Sequence, residues 1–484
     1  MSALTVAVVG GGITGLSAAW ELSSKLPSGS RMVMVESEPR LGGKLRSIEL
    51  GGRLVDVGPD AFLARRPEAH ELCEEVGLGP ELVHPSADRA YVWSRGALRP
   101  LPRGLALGVP TRLGPLARSG ICSASGLGRA ALDLLGPSPS GRRRLARDDA
   151  SVGSIVRRRL GEEIHERLAD PLVGGIHAGR ADDLSAAAVF PQLLLADERP
   201  GSLMRALRSA PQDAERARPV FTTVRGGLAR LAQRIGELVQ QRGVEVRLGT
   251  TVYRLEHHAA GDGAAPGAPE WSLATSAGGI AADGVVIAVP APAASEILGA
   301  LDPSFSGLLG GIPYASVTIV TLRFPREAFG SSGPDLEGTG FLVPATEGRL
   351  LSACTWLSSK WRELHRPGDV LLRASAGRYG DERPGEMTDD ELVARAVGEL
   401  SSMLGVRGAP LDAVVTRWPS SFPQYLVGHL GRIEALEQAV ARRRGLALAG
   451  AALHGIGVPA CIGGGRRAAQ QVVGALAATE QPAR

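Results

Sequence analysis

Near the start of the chain, Gly10-Gly11-Gly12-Ile13-Thr14-Gly15 sets three glycines at G-x-G-x-x-G spacing, and an acid, Glu36, follows about 20 residues later. Residues of these types at this spacing can grip a dinucleotide. Gly10 permits a tight turn, Gly12 lets the backbone approach a pyrophosphate, and Gly15 lets a helix pack on the preceding strand. Ile13 and Thr14 open that helix, whose free N–H groups and partial positive charge face the phosphates. Glu36 is placed to accept from ribose hydroxyls. Three elements must hold these groups. Leu4 to Val9 is a short β-branched run, the pattern of a strand buried on both faces. Leu16, Ala18, Ala19, Trp20 and Leu22 follow with helical spacing, and Met32 to Val35 is a second strand ending at Glu36.

A second glycine pair follows in Glu36-Ser37-Glu38-Pro39-Arg40-Leu41-Gly42-Gly43-Lys44. Arg40 can reach a phosphate, and the paired glycines let backbone lie against a cofactor. The stretch is similar to the E-x3-R-x-G-G-[KR] element of the amine-oxidase-like flavoproteins, which makes FAD the expected cofactor. No other G-x-G-x-x-G follows a strand, so no NAD(P)H domain is predicted. Electrons then come from the substrate and leave to oxygen or another external acceptor.

The composition excludes several classes. With 484 residues and 44% apolar content the chain can build two or three domains with sizeable cores. A net charge of only +4 does not predict a nucleic-acid binder. Lysine occurs only at Lys25, Lys44 and Lys360, a bias toward arginine that fits a G+C-rich genome. Cys73, Cys122, Cys354 and Cys461 are far apart, so neither a metal site nor a disulfide framework is expected, and a cytoplasmic location is the default. The opening strand leaves no room for a signal peptide. No run of ~18 apolar residues is present to span a membrane.

The fold class expected is α/β: a split Rossmann-like FAD-binding domain with an inserted mixed-sheet substrate domain and a helical lobe. The pieces are residues 1–95 (FAD-binding), 96–215 (helical lobe), 216–300 (FAD-binding), 301–440 (substrate-binding) and 441–484 (FAD-binding). Val244 to Glu256 reads as a strand pair, Ala259 to Pro269 as a hairpin tip and Gly136 to Asp149 as a solvated loop. Gly463-Gly464-Gly465 reads as a turn before a closing helix, Arg466 to Ala478. Arg99, Arg103, Arg112, Arg118 and Arg129 accompany apolar residues around 100–135. A packed lobe over a substrate channel is the favoured reading there, with membrane contact at most peripheral.

With these elements in place the chain resembles the flavin-dependent porphyrinogen oxidases, and within them the Gram-positive-type branch. The marks are Gly58-Pro59-Asp60-Ala61-Phe62-Leu63, the stretch Pro171 to Gly179, Val224 to Leu228, Gly338 to Pro344, Cys354-Thr355-Trp356, Pro423-Gln424-Tyr425 with Gly428-His429, and Gly455 to Gly463. The resemblance covers essentially the whole chain. It implies six-electron oxidation of coproporphyrinogen III to coproporphyrin III in haem biosynthesis, with oxygen as acceptor and ferrochelatase as a candidate partner.

The same resemblance distributes roles. Gly340 and Leu342 belong to a loop over the reactive face of the flavin, Gly340 through its carbonyl and Leu342 by holding the macrocycle. Some relatives carry Phe where Thr339 stands, so aromatic stacking is lost there and Thr339 is left as a substrate-side contact. Arg66 and Arg89 match positions that face substrate propionates, which suits a guanidinium; Arg65 is an alternative to Arg66. Gly58, Pro59, Asp60 and Ala61 are assigned to the cofactor, Val252 to the adenine, and Trp418 with Gly457-Val458-Pro459 to the isoalloxazine. His177 and His429 are read as structural. The alternatives are a protoporphyrinogen IX oxidase, an amine oxidase of the same fold, which a single aromatic at Trp418 disfavours, and a non-catalytic flavin-binding partner protein.

Overall fold

The computed structural model describes residues 4–135, 149–209, 219–258, 269–330 and 336–477. The stretches 136–148 and 259–268, which hold most of the expected loop and hairpin tip, lie outside the described residues. The opening strand Thr5–Val9 stands in the middle of a five-stranded parallel sheet, between Arg31–Val35 and Gly284–Ile287. Glu245–Arg247 and Leu446–Leu448 complete the two edges. Alternation explains its burial on both faces. Val6 and Val8 pack under the helices Ile13–Lys25 and Val458–Ala477, whereas Ala7 and Val9 face a small antiparallel sheet and the Trp271 core.

Two expectations change here. Val244 to Glu256 is not a strand pair: Glu245–Arg247 joins the parallel sheet, and Val252–His257 pairs with Trp271–Thr275. The closing helix begins at Val458, well before Arg466, and runs through the three glycines. Their role is close approach, because a side chain at Gly465 would collide with the Thr14 carbonyl of the first helix. Tertiary packing outweighs the low helix propensity of glycine there.

The second sheet has seven strands in the order Asp412–Pro423, Tyr314–Pro325, Asp369–Ala376, Leu351–Trp356, Gly340–Leu342, Ala90–Ser94 and Ala97–Pro100. The last two come from the N-terminal part of the chain, so a division at residue 95 cuts through this sheet. One face carries Val320, Leu322, Phe324, Phe341 and Trp356 against the helix Asp389–Leu404. That helix starts with a capping box between Thr388 and Glu391. By strand alternation the opposite face carries Ile319, Arg373, Thr355, Gly340, Leu342 and Val92. Val92 and Leu342 there pack against the helical lobe, whose core includes Ile155, Leu160, Leu168 and Val173.

Candidate dinucleotide and substrate site

The glycine turn is built on the end of the second strand. The Gly10 amide donates to the Val35 carbonyl at 2.8 Å, and the Gly11 amide donates to the Glu36 carboxylate at 2.6 Å. The other Glu36 oxygen accepts from the Glu38 amide at 2.8 Å and the Ser37 hydroxyl at 3.2 Å. Glu36 is therefore a fixed, buried acceptor. Gly12 caps the first helix and, having no side chain, supplies no cap hydrogen bond to the N–H groups of its first turn. A Cβ on Gly12 would meet no protein atom within 4 Å. Free helix N–H groups beside open space suit an anionic group such as a pyrophosphate.

The second glycine pair closes over the first. The Gly42 amide donates to the Gly11 carbonyl at 2.8 Å, and a Cβ on Gly43 would lie 3.2 Å from the Gly12 Cα. The Arg40 guanidinium donates to the carbonyls of Gly43 at 2.7 Å and Leu41 at 3.2 Å, so it shapes this loop directly. Lys44 is half-buried, and the partial burial lowers its pKa. It has no carboxylate partner among the described residues, and a half-buried unpaired cation beside a helix N-terminus favours an anionic ligand.

The Asp56–Gly58 segment is held from the other sheet. Arg373 donates to the carbonyls of Asp56 at 3.2 Å and Gly58 at 3.0 Å, and the Trp418 indole donates to the Val57 carbonyl at 2.7 Å. Asp60 is buried and receives Lys360 at 2.7 Å, Trp361 at 3.1 Å and Arg373 at 3.1 Å. Burial opposes its ionisation, but Arg373 and Lys360 outweigh burial and hold its pKa well below the usual carboxylate range. The Asp60 carboxylate is thus engaged by protein donors, while Pro59 and Ala61 beside it are half-buried. Asp56 behaves oppositely. Burial pushes it up to about 6, against hydrogen bonds from Ser47 and the Leu228 amide.

Gly457 and Val458-Pro459 form the entrance of the closing helix, where the Cys461 amide donates to the Gly457 carbonyl at 3.0 Å. Lys44 and Cys461 are electrostatic neighbours, which brings this helix start against the second glycine loop. Val252 is buried, and the Thr250 amide two residues earlier donates to the Glu36 carbonyl at 2.9 Å. Gly10, Gly11, Gly12, Glu36, Ser37, Gly43, Lys44, Gly58 and Trp418 are thereby linked by direct contacts.

On the substrate side, Gly340 has φ +136, and a Cβ there would overlap the Cys354 carbonyl of the neighbouring strand. Thr339 donates through its amide at 2.7 Å and its hydroxyl at 3.1 Å to the Arg89 carbonyl. Leu342 projects toward Gly175, where a Cβ would lie 3.0 Å from its side chain. Arg66 is exposed and has no ion pair among the described residues. Arg89 is also exposed, 3.8 Å from Glu337, beside a cavity of about 330 Å³ lined by Ser86, Asp88, Glu337 and Gly338. A cavity of about 640 Å³ elsewhere is lined by charged residues such as Arg157, Glu162, Asp170 and Arg378 and by none of the cradle residues.

Burial pushes His177 down to about 4 and, as its first cause, His429 down to about 4 as well. His429 stacks on Tyr425 at 4.1 Å, and the His177 Nδ1 is sealed without a hydrogen-bond partner among the described residues. Both imidazoles are neutral near pH 7. Among the described residues no His, Cys, Asp and Glu cluster could hold a metal. Arg373 and Lys360 were not anticipated, although one signal was visible: Lys360 is one of three lysines in an arginine-rich chain.

A family model described as "Flavin containing amine oxidoreductase" matches residues 13–473. Coproporphyrinogen III oxidase from Bacillus subtilis (strain 168) is 34% identical over 474 residues, covering 96% of each chain. Coproporphyrinogen III oxidase from Propionibacterium freudenreichii is 35% identical, covering 98% of this chain and 91% of that one. A solved structure from Exiguobacterium sp. 255-15, assigned as a protoporphyrinogen oxidase, superposes with a TM-score of 0.84 at 30% identity, covering 98% and 99% of the two chains.

Proposed function

The chain belongs to the flavin-containing amine oxidoreductases and, within them, to the coproporphyrinogen III oxidase group, and on that premise we propose that it oxidises coproporphyrinogen III to coproporphyrin III in haem biosynthesis. Its cofactor is FAD, which when bound supplies the two-electron acceptor for each of the oxidation steps. The residues of the cradle fit that group. The first-helix N–H groups and Lys44 would meet the pyrophosphate, Glu36 the ribose, and Val252 the adenine. Gly58, Trp418 and the Gly457-Val458-Pro459 turn would border the ring system. Oxygen as final acceptor is part of the same proposal, supported by the lack of a second dinucleotide motif in the sequence.

The observation that carries the reading is the character of the inner face of the seven-stranded sheet. Gly340, Leu342 and Ile319 give it small and apolar groups beside Thr355 and Arg373, and it opposes the glycine-bearing helix Asp170–His177. Such walls suit a wide apolar macrocycle. Gly340 keeps the wall flat, Leu342 supplies bulk against one side of the substrate, and the neutral His177 brings no charge. Exposed arginines such as Arg66 would meet carboxylates on the macrocycle rim. The test is a porphyrin-fluorescence assay of the purified protein in air, with coproporphyrinogen III and protoporphyrinogen IX side by side. Faster turnover of coproporphyrinogen III is expected. Preference for protoporphyrinogen IX would move the assignment to that substrate, and no turnover of either would remove the catalytic reading.

A further inference from the structure

One row of residues ties the substrate wall to the cofactor cradle. Gly340, Thr355 and Arg373 stand opposite one another on three adjacent strands, in direct register. Neighbouring strands are about 4.8 Å apart, so Gly340 and Arg373 are separated by about 10 Å of hydrogen-bonded sheet. The far end of Arg373 leaves this sheet altogether. Its guanidinium donates to the Asp56 and Gly58 carbonyls, which belong to the cofactor domain, and to Asp60. Trp418 holds the carbonyl between them, so three consecutive backbone acceptors are bound by side chains of the other sheet. Gly58 in turn lies directly against the Lys44 carbonyl.

We propose that Arg373 is a positioning residue for the oxidation: its fork fixes the spacing between the Gly340 wall that receives the macrocycle and the Gly58 loop that borders the flavin. This rests on the function proposed above. The side chain suits the task. A planar guanidinium can serve two carbonyls and a carboxylate at once with fixed geometry, which a lysine cannot. Asp60 holds it in place, and Lys360 on the other Asp60 oxygen together with Trp361 orients that carboxylate. The whole assembly is buried, so its geometry does not depend on exposed, mobile side chains.

The test compares FAD-loaded wild type with Arg373→Lys and Arg373→Met. Maximal rates of flavin reduction by coproporphyrinogen III are measured anaerobically, alongside KM, FAD occupancy and the visible circular dichroism of the bound flavin. Arg373→Lys keeps a cation against Asp60 and is the variant chosen to preserve the fold. A change in spacing should slow reduction at saturation by roughly 10- to 100-fold, leave KM nearly unchanged, and alter the flavin dichroism. Wild-type reduction rates in FAD-loaded Arg373→Lys would overturn the inference, as would a loss of rate that only follows loss of FAD. A wild type that oxidises neither porphyrinogen defeats the proposed function instead. Turnover by wild type beside unimpaired variants defeats this inference alone.

Discussion

The Gly11 amide and the Glu36 carboxylate meet at 2.6 Å, so the phosphate-facing turn and the acid at the end of the second strand form one unit. Glu36→Gln keeps the shape and removes the charge. A hydrogen bond to a charged group contributes about 1.5–3 kcal/mol, which corresponds to tenfold or more in FAD affinity. FAD titration of the apoprotein should show that loss, with KM for the porphyrinogen little changed. Equal affinity for the variant would place the ribose elsewhere.

Gly12 and Gly15 separate cofactor binding from folding. A Cβ at Gly12 meets no atom of the described residues within 4 Å, so Gly12→Val should fold with a melting temperature near that of wild-type apoprotein and fail to retain FAD. A side chain at Gly15 runs into the Gly10 carbonyl, so Gly15→Ala should lower the melting temperature of the apoprotein itself. Thermal unfolding with and without added FAD reads both effects. FAD binding by Gly12→Val at wild-type affinity contradicts the cradle.

Asp56 adds a pH dependence of defined sign. Its pKa rises from 3.8 to about 6 on folding, burial being the main cause. Between those values the folded state holds the proton and the unfolded chain does not, so this group's contribution to stability falls as pH rises through that window. His177 and His429 act oppositely. Both fall from 6.5 to about 4, and the stability they contribute is lost as pH drops through that range. Asp56→Asn should therefore gain on wild type as pH is raised from 4 to 7, by up to about 3 kcal/mol. Melting temperatures of the two proteins over that range provide the check. A constant difference would mean that Asp56 is not titrating.

The legible parts of the fold were those with local signals. The strand, glycine turn and helix at residues 5–25 and the strand Arg31–Val35 all stand where the sequence pattern predicts. The misread parts depend on tertiary contact. Gly463 to Gly465 look like a helix breaker until the neighbouring helix is seen pressed against Gly465. Glu245–Arg247 and Val252–His257 carry no local mark saying that they belong to different sheets. In the site, Gly12, Glu36 and Gly43 were readable because their motif is local. Arg373 reaches Gly58 across 315 residues, and only its position within the apolar run Leu371-Leu372-Arg373-Ala374 hinted at a buried task.

Arg66 and Arg89 are the two arginines proposed to meet substrate carboxylates, and the structure gives them unequal electrostatic settings. Arg66 has no acidic partner among the described residues, whereas Arg89 is 3.8 Å from Glu337. A propionate at Arg89 must compete with that carboxylate. Both side chains are exposed, so each contact is screened and an Arg→Ala change should raise KM by about twofold to fivefold. The contact is made equally before and during the chemical step, which leaves kcat unchanged. Arg66→Ala should have the larger effect. Glu337→Gln should lower KM if Arg89 is used, because it frees the guanidinium. Coproporphyrinogen III has four propionates and protoporphyrinogen IX has two, so the double Arg variant should narrow the preference between them. Steady-state fluorescence assays on both substrates, repeated at low and high salt, measure each of these effects. If the two single variants and the double variant all keep wild-type KM at low salt, the rim carboxylates are held by other groups or lie in solvent.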